Sequence, residues 1–152
     1  MPDAHFQLAQ INIARMIAPL DDPIMAEFVE NLAGINALAD VSPGFVWRLQ
    51  SETGDATNLR PYDDTILVNI SVWENPERLR DYAFRTQHVD IMRKRKQWFA
   101  KFVGAYTALW WIPAGSIPTV EEAKARLEYL RMHGESPYAF SFKKLFPPPE
   151  NE

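Results

Sequence analysis

Residues Thr65 to His88, TILVNISVWENPERLRDYAFRTQH, constrain the fold of this chain more than any other stretch. The first half alternates. Ile66, Val68, Ile70 and Val72 fall on one side and Leu67, Asn69, Ser71 and Trp73 on the other, which is the period of a β-strand. One side is wholly apolar and belongs on a core. The other combines an amide, a hydroxyl and an indole, which suits a wet cavity, a ligand or a partner surface better than plain hydrocarbon. Asn75-Pro76-Glu77 then starts a helix: a capping amide, a proline at the first helical position, and an early acid facing the positive end of the helix dipole. The strand therefore leads directly into a helix that carries His88.

The same division recurs at residues 5–16, where Ala9, Ile11 and Ile13 oppose Leu8, Gln10, Asn12 and Ala14. Asp22-Pro23 reads as a cap followed by a first helical residue. Ile24, Phe28, Leu32 and Ile35, flanked by Met25, Val29 and Leu38, recur at helical spacing and predict a helix lying on a core. Ser42-Pro43-Gly44 breaks the chain before a short strand in which Phe45, Trp47 and Leu49 share a face. Residues 53–64 are polar and rich in turn formers, as expected of an exposed connection. The helix after Asn75 carries two stripes, Leu79, Tyr82, Ala83 and Thr86 on one side and Phe84, His88, Ile91 and Met92 on the other, with Trp98 and Phe99 continuing the second. Residues 106–112 form a strand with Trp110 and Trp111 on opposite faces. Thr119 to Glu122 is a capping box for a third helix, which has one narrow stripe of Ala123, Leu127 and Leu130 and a natural terminator in Gly134. The segment SPYAFSFKKLF continues as a further strand with Tyr138, Phe140 and Phe142 aligned.

Strand, helix, strand, strand, helix, strand is the order of an α+β ferredoxin-like split β-α-β fold, with an antiparallel sheet and helices on one face, plus an extra C-terminal helix and extension. A single domain over residues 1–146 and a proline-rich tail at 147–152 accommodate the whole chain. In this reading the helices cover the apolar sheet face, and a second copy covers the mixed face and encloses a cavity. The chain has no cysteine, which excludes disulfides, thiolate zinc sites, iron–sulfur clusters and cysteine nucleophiles, and makes a reducing cytoplasm the simplest location. No stretch approaches the roughly 20 apolar residues that span a bilayer, so no membrane partner is expected. A net charge of -4 argues against nucleic-acid binding.

The blocks PLDDPIMAEFVENLAGINALADVSPGFVWRLQ, VNISVWENPERLRDY, HVDIMRKRKQWF, LWWIPAGSIPTVEEAKARLEYLRMHG and PYAFSFKKLFPPP resemble, in this order and over nearly the whole chain, the bacterial DUF3291 proteins. The resemblance implies a dimeric α/β barrel, hence a homodimer with a small aromatic or hydrophobic ligand in a barrel cavity. The wider superfamily includes antibiotic-biosynthesis monooxygenases, heme-degrading oxygenases, chlorite dismutase-like proteins and stress-responsive barrels, and fold alone does not choose among them.

Asn69 and Trp73 project from the same strand face and resemble the Asn and Trp that line the cavity of cofactor-independent monooxygenases in that superfamily. Asn12 is similar to an Asn of its heme-degrading branch. An amide can hold a phenolate or peroxide oxygen, and an indole can form a flat wall for an aromatic substrate. Alternatively, Asn69 satisfies a backbone group and Trp73 packs in an interface. Histidine is the side chain suited to proton transfer near neutral pH, so His88 is the candidate general base, the alternatives being an axial heme ligand or a buried structural histidine. Gln10, Asn12, Ser71, Trp47, Trp110 and Arg48 complete the expected ligand contacts, with Arg48 a clamp for an anionic group. The three histidines are far apart and give a metal site little support. Arg93-Lys94-Arg95-Lys96 wraps around its helix and reads as solvated surface. The expected chemistry is cofactor-independent oxygenation or isomerisation of an aromatic or polyketide-like substrate. A heme-binding barrel and a non-catalytic ligand-binding or stress-related dimer are the alternatives.

Overall fold

A computed structural model of the chain describes residues 5–50, 60–85, 97–100 and 104–149. Its elements are β1 (Phe6–Met16), α1 (Ala26–Asp40), β2 (Phe45–Arg48), β3 (Ile66–Trp73), α2 (Pro76–Arg85), β4 (Phe99–Ala100), β5 (Thr107–Pro113) and α3 (Val120–His133). β1 is the central strand. It pairs antiparallel with β3 along one edge, and on the other edge it pairs with β5 over Phe6 to Asn12 and with β4 at Arg15 and Met16. β2 pairs with the far edge of β3. β3 therefore lies between β1 and β2, the two strands joined by α1, which is the split β-α-β arrangement of a ferredoxin-like α+β fold.

The helix starts follow their sequence signals. Asp22 accepts from the Ile24 N–H at 3.0 Å and opens a 3-10 turn, Pro23–Met25, that runs into α1. Asn75 Oδ1 accepts from the Arg78 N–H at 3.0 Å, with Pro76 leading α2. Thr119 Oγ1 accepts from the Glu122 N–H at 3.0 Å, whereas the Glu122 carboxylate pairs with Arg126 at 3.0 Å instead of reaching back, so half of the expected capping box forms. Gly134, at φ 82°, ends α3 with its N–H on the Leu130 carbonyl.

The two sheet faces have different covers. Ala9, Ile11, Ile13, Val68, Ile70, Val72, Ala108, Trp110 and Ile112 form one apolar layer, closed by Ala123, Leu127 and Leu130 of α3. The mixed face looks toward α1 and α2. This corrects the expected arrangement, in which α1 and α2 cover the apolar face and a second copy covers the mixed one. The narrow stripe on α3 matches the flat β-branched layer, while the wider faces of α1 and α2 stand over the polar side.

Three local expectations also change. A bulge between Phe45 and Trp47 reverses the alternation of β2, so Phe45 joins Trp73 on the mixed face while Trp47 and Leu49 join the apolar layer. Phe99 leaves the helical pattern to pair with Met16, and Trp98 is buried against Met16, Met25 and Leu67. The C-terminal segment makes one bridge to the sheet rather than a full strand: Phe140 exchanges both backbone hydrogen bonds with Leu109, at 2.7 and 2.9 Å.

Candidate functional site

Strand register sorts the mixed face into rows. At one end Trp111, Leu8, Trp73 and Phe45 lie side by side across four strands. The next row is Leu109, Gln10, Ser71 and Arg48, and the one after it Thr107, Asn12 and Asn69. Ala14 and Leu67 return the surface to hydrocarbon. A polar band two rows deep thus crosses the sheet between an aromatic wall and an apolar floor.

α1 stands over this band without filling the space. Of its residues Ala39 alone is buried, and Phe28, Leu32 and Ile35 face a cavity of about 810 Å³. The expectation that this stripe lies on a core holds at its start, where Phe28 packs on Trp98 and Phe99, and is corrected further along, where Leu32 and Ile35 form a cavity roof. Leu79, Tyr82 and Ala83 of α2 supply the adjoining side, and Phe99 closes another. An apolar enclosure of this size with a few convergent polar groups is the usual form of a small-molecule site.

The polar band is internally bonded. Gln10 Nε2 donates to Asn69 Oδ1 at 2.6 Å and to Ser71 Oγ at 2.8 Å. Trp73 Nε1 donates to the same Ser71 oxygen at 2.9 Å. Gln10, Ser71 and Trp73 are buried, whereas Asn69 is the one exposed residue of β3 and opens into the cavity. Trp73 is held further by Tyr82, stacked on it at 5.2 Å, and by the Phe45 edge at 5.4 Å. Tyr82 donates to the Ile35 carbonyl at 3.2 Å and so ties α2 to α1. Burial pushes the Tyr82 phenol up to about 12; nearby Arg48 works against that shift and Asp40 adds to it. At neutral pH Tyr82 is a neutral wall residue.

Arg48 lines the cavity, as expected, but its guanidinium is held by Asp40, the last residue of α1, at 2.7 and 3.3 Å. It fastens β2 to α1 and reaches the cavity as half of an ion pair. Trp47 and Trp110 are corrected as cavity contacts. The β2 bulge turns Trp47 to the α3 side, and Trp110 pairs with Ala9 on the apolar face. His88 and the Arg93–Lys96 cluster lie outside the described residues. Neither the base nor the heme-ligand assignment is therefore tested by geometry, and the described cavity residues include no other histidine. Among the described residues no group of three or more His, Cys, Asp or Glu is placed to hold a metal ion, and no helix is long and apolar enough to cross a membrane.

Sequence reasoning missed the contribution of α1 and the wall role of Tyr82. Asn36, a polar residue beside the Leu32 and Ile35 stripe and also part of the cavity wall, was the available sign that this helix faces something other than a core.

The model of the family described as Domain of unknown function (DUF3291) matches residues 7–152. No curated protein is significantly similar to the chain. Among solved structures, SnoaB, a cofactor-independent oxygenase from Streptomyces nogalater, is 16% identical with a TM-score of 0.47, over 73% of this chain and 95% of that one. A protein of unknown function from Nitrosomonas europaea is 10% identical with a TM-score of 0.48, over 76% and 98%. A dabb family protein with a ferredoxin-like fold from Mesorhizobium loti is 11% identical with a TM-score of 0.42, over 74% and 99%.

Proposed function

The chain belongs to the DUF3291 family, and from the banded cavity we propose that it is a small-molecule enzyme oxidising an aromatic or polyketide-like substrate with dioxygen and no tightly bound cofactor. The observation that carries this reading is the row order of the sheet: an amide and hydroxyl band, Gln10, Asn12, Ser71 and Asn69, beside an aromatic wall built on Trp73. A planar substrate stacks along such a wall and places its oxygen on the amides. His88, the base expected from the sequence, takes a proton from a CH2 group beside a phenol or ketone. The resulting carbanion reduces dioxygen, the peroxide formed at that carbon loses water, and the CH2 becomes a carbonyl. One atom of dioxygen ends in the product and the other in water. Asn69 and Asn12 hold the charged oxygen while this happens.

Oxygen uptake with a panel of hydroxylated bicyclic and tricyclic ketones tests the reading, with tryptophan fluorescence reporting binding. Asn69→Ala is expected to lower turnover of an accepted substrate by about 100-fold, the usual cost of one oxyanion donor. Full turnover in His88→Ala would remove His88 as the base. Failure of the whole panel both to bind and to consume oxygen would overturn the proposal.

A further inference from the structure

Gln10 sits mid-strand on β1, 4% exposed, and spends both hydrogens of its amide nitrogen inside the polar band. The consequences for its neighbours follow from their hydrogen-bond inventory. Ser71 Oγ accepts from Gln10 and from Trp73, which occupies both of its lone pairs and leaves its own proton to point elsewhere. Gln10 takes one lone pair of Asn69 Oδ1 and so fixes the orientation of that amide, which leaves its NH2 group as a donor on the residue of β3 that opens into the cavity. Asn12, directly across from Asn69, adds a second amide to the wall. The carboxylates near the cavity are already engaged. Glu135 accepts from both the N–H and the hydroxyl of Ser141, and Asp40 accepts from Arg48.

We propose that Gln10 is a positioning residue that turns this band into a hydrogen-bond donor surface, so that the cavity selects planar ligands through an ionised phenolate or enolate oxygen over the same ligand protonated. The proposal rests on the reading of the cavity as a small-molecule site. An ionised oxygen takes charge-assisted bonds from Asn69 and Ser71, which are roughly twice as strong as neutral ones and offset the cost of taking the charge out of water. A protonated phenol instead brings a hydrogen that needs an acceptor, and Gln10 has narrowed the choice: with Trp73 it fills Ser71 Oγ, and it takes one of the two lone pairs of Asn69 Oδ1. Gln10 itself touches no ligand in this scheme. It acts by fixing which end of the Asn69 amide and which side of the Ser71 hydroxyl the ligand meets.

The test uses the full chain with 4-nitro-1-naphthol, whose neutral and ionised forms absorb differently, and with its methyl ether, which cannot ionise. Spectrophotometric titration is expected to show the bound naphthol ionising about one pH unit below the free compound, a tenfold preference for the anion. Gln10→Leu should abolish most of that shift while leaving methyl-ether affinity close to wild type, an outcome that a merely structural role for Gln10 would not produce. Asn69→Leu, at the exposed position, removes the NH2 donor that Gln10 orients and adds no charge, and should abolish most of the shift; a full shift in Asn69→Leu overturns the proposal even if Gln10→Leu fails to fold. A wild-type protein that binds the naphthol with no downward shift overturns the proposal and leaves the cavity reading standing. A shift that survives in Gln10→Leu removes Gln10 from the role. If the wild type binds neither naphthol nor ether, the cavity reading falls and the inference with it.

Discussion

Ser71 is the residue on which the polar band depends, because it takes one hydrogen from Gln10 on the neighbouring strand and another from Trp73 on its own. Removing its hydroxyl strands two buried donors at once, whereas removing the Asn69 side chain opens a position that already faces the cavity. Ser71→Ala is therefore expected to cost about 1–3 kcal/mol, the range for leaving buried polar groups unpaired, and Asn69→Ala well under that. Urea midpoints at unchanged slope read the difference directly. Equal costs for the two substitutions would mean that the Ser71 network contributes little to the folded state. Trp47 and Trp110 belong to the opposite face and have no part in this network.

At the scale of the element, α3 packs chiefly on the face of the sheet opposite the cavity helices and touches the cavity only at Leu130, so damage to α3 away from Leu130 should leave the cavity working. Leu127 is fully buried in the layer under α3, and Leu127→Ala is expected to cost about 2–5 kcal/mol. Thr119→Ala, which removes the cap of the same helix, should cost about 1 kcal/mol. Below the unfolding transition neither should change affinity for a ligand in the cavity, measured by tryptophan quenching; a parallel loss of binding would show the two faces to be coupled. The alternation of β1 and β3 made the two faces and most of the polar band legible in the sequence, because residues Gln10, Asn12, Asn69, Ser71 and Trp73 share a side by parity alone. Parity does not say which layer covers which side. The assignment of α1 and α2 to the apolar face failed because a period-2 pattern identifies a face and not its partner. Trp47 and Trp110 were misplaced for related reasons. A one-residue bulge reverses β2, and the facing of β5 depends on its register with Ala9, which no local pattern records. α1 reads as a core helix because its stripe is apolar; that the stripe roofs a space is a property of the distance between layers.

Across the whole molecule, each face of the sheet holds one tyrosine with a phenol that resists ionisation, and their positions tie alkaline stability to both layers. Tyr62, on the α3 side, has its phenol pushed up to about 12, by burial first and the Glu128 carboxylate second, with Arg131 opposing. Tyr82, on the cavity side, is also pushed up to about 12, again mainly by burial. An ordinary tyrosine in the unfolded chain ionises at 10.0. Between these values the unfolded chain has released protons that the folded chain keeps, so the contribution of both phenols is fully present below pH 10 and is lost as pH rises toward 12. Stability measured by urea midpoints should accordingly fall across that window. Tyr62→Phe and Tyr82→Phe should each flatten the fall relative to wild type, and the double substitution should flatten it by the sum, because the two rings lie on opposite sides of the sheet. Tyr82→Phe also removes the bond to the Ile35 carbonyl that joins α2 to α1, and so should lower stability at neutral pH as well. An alkaline decline identical in wild type and double variant would place its cause in other titrating groups and free both phenols from the role their burial implies.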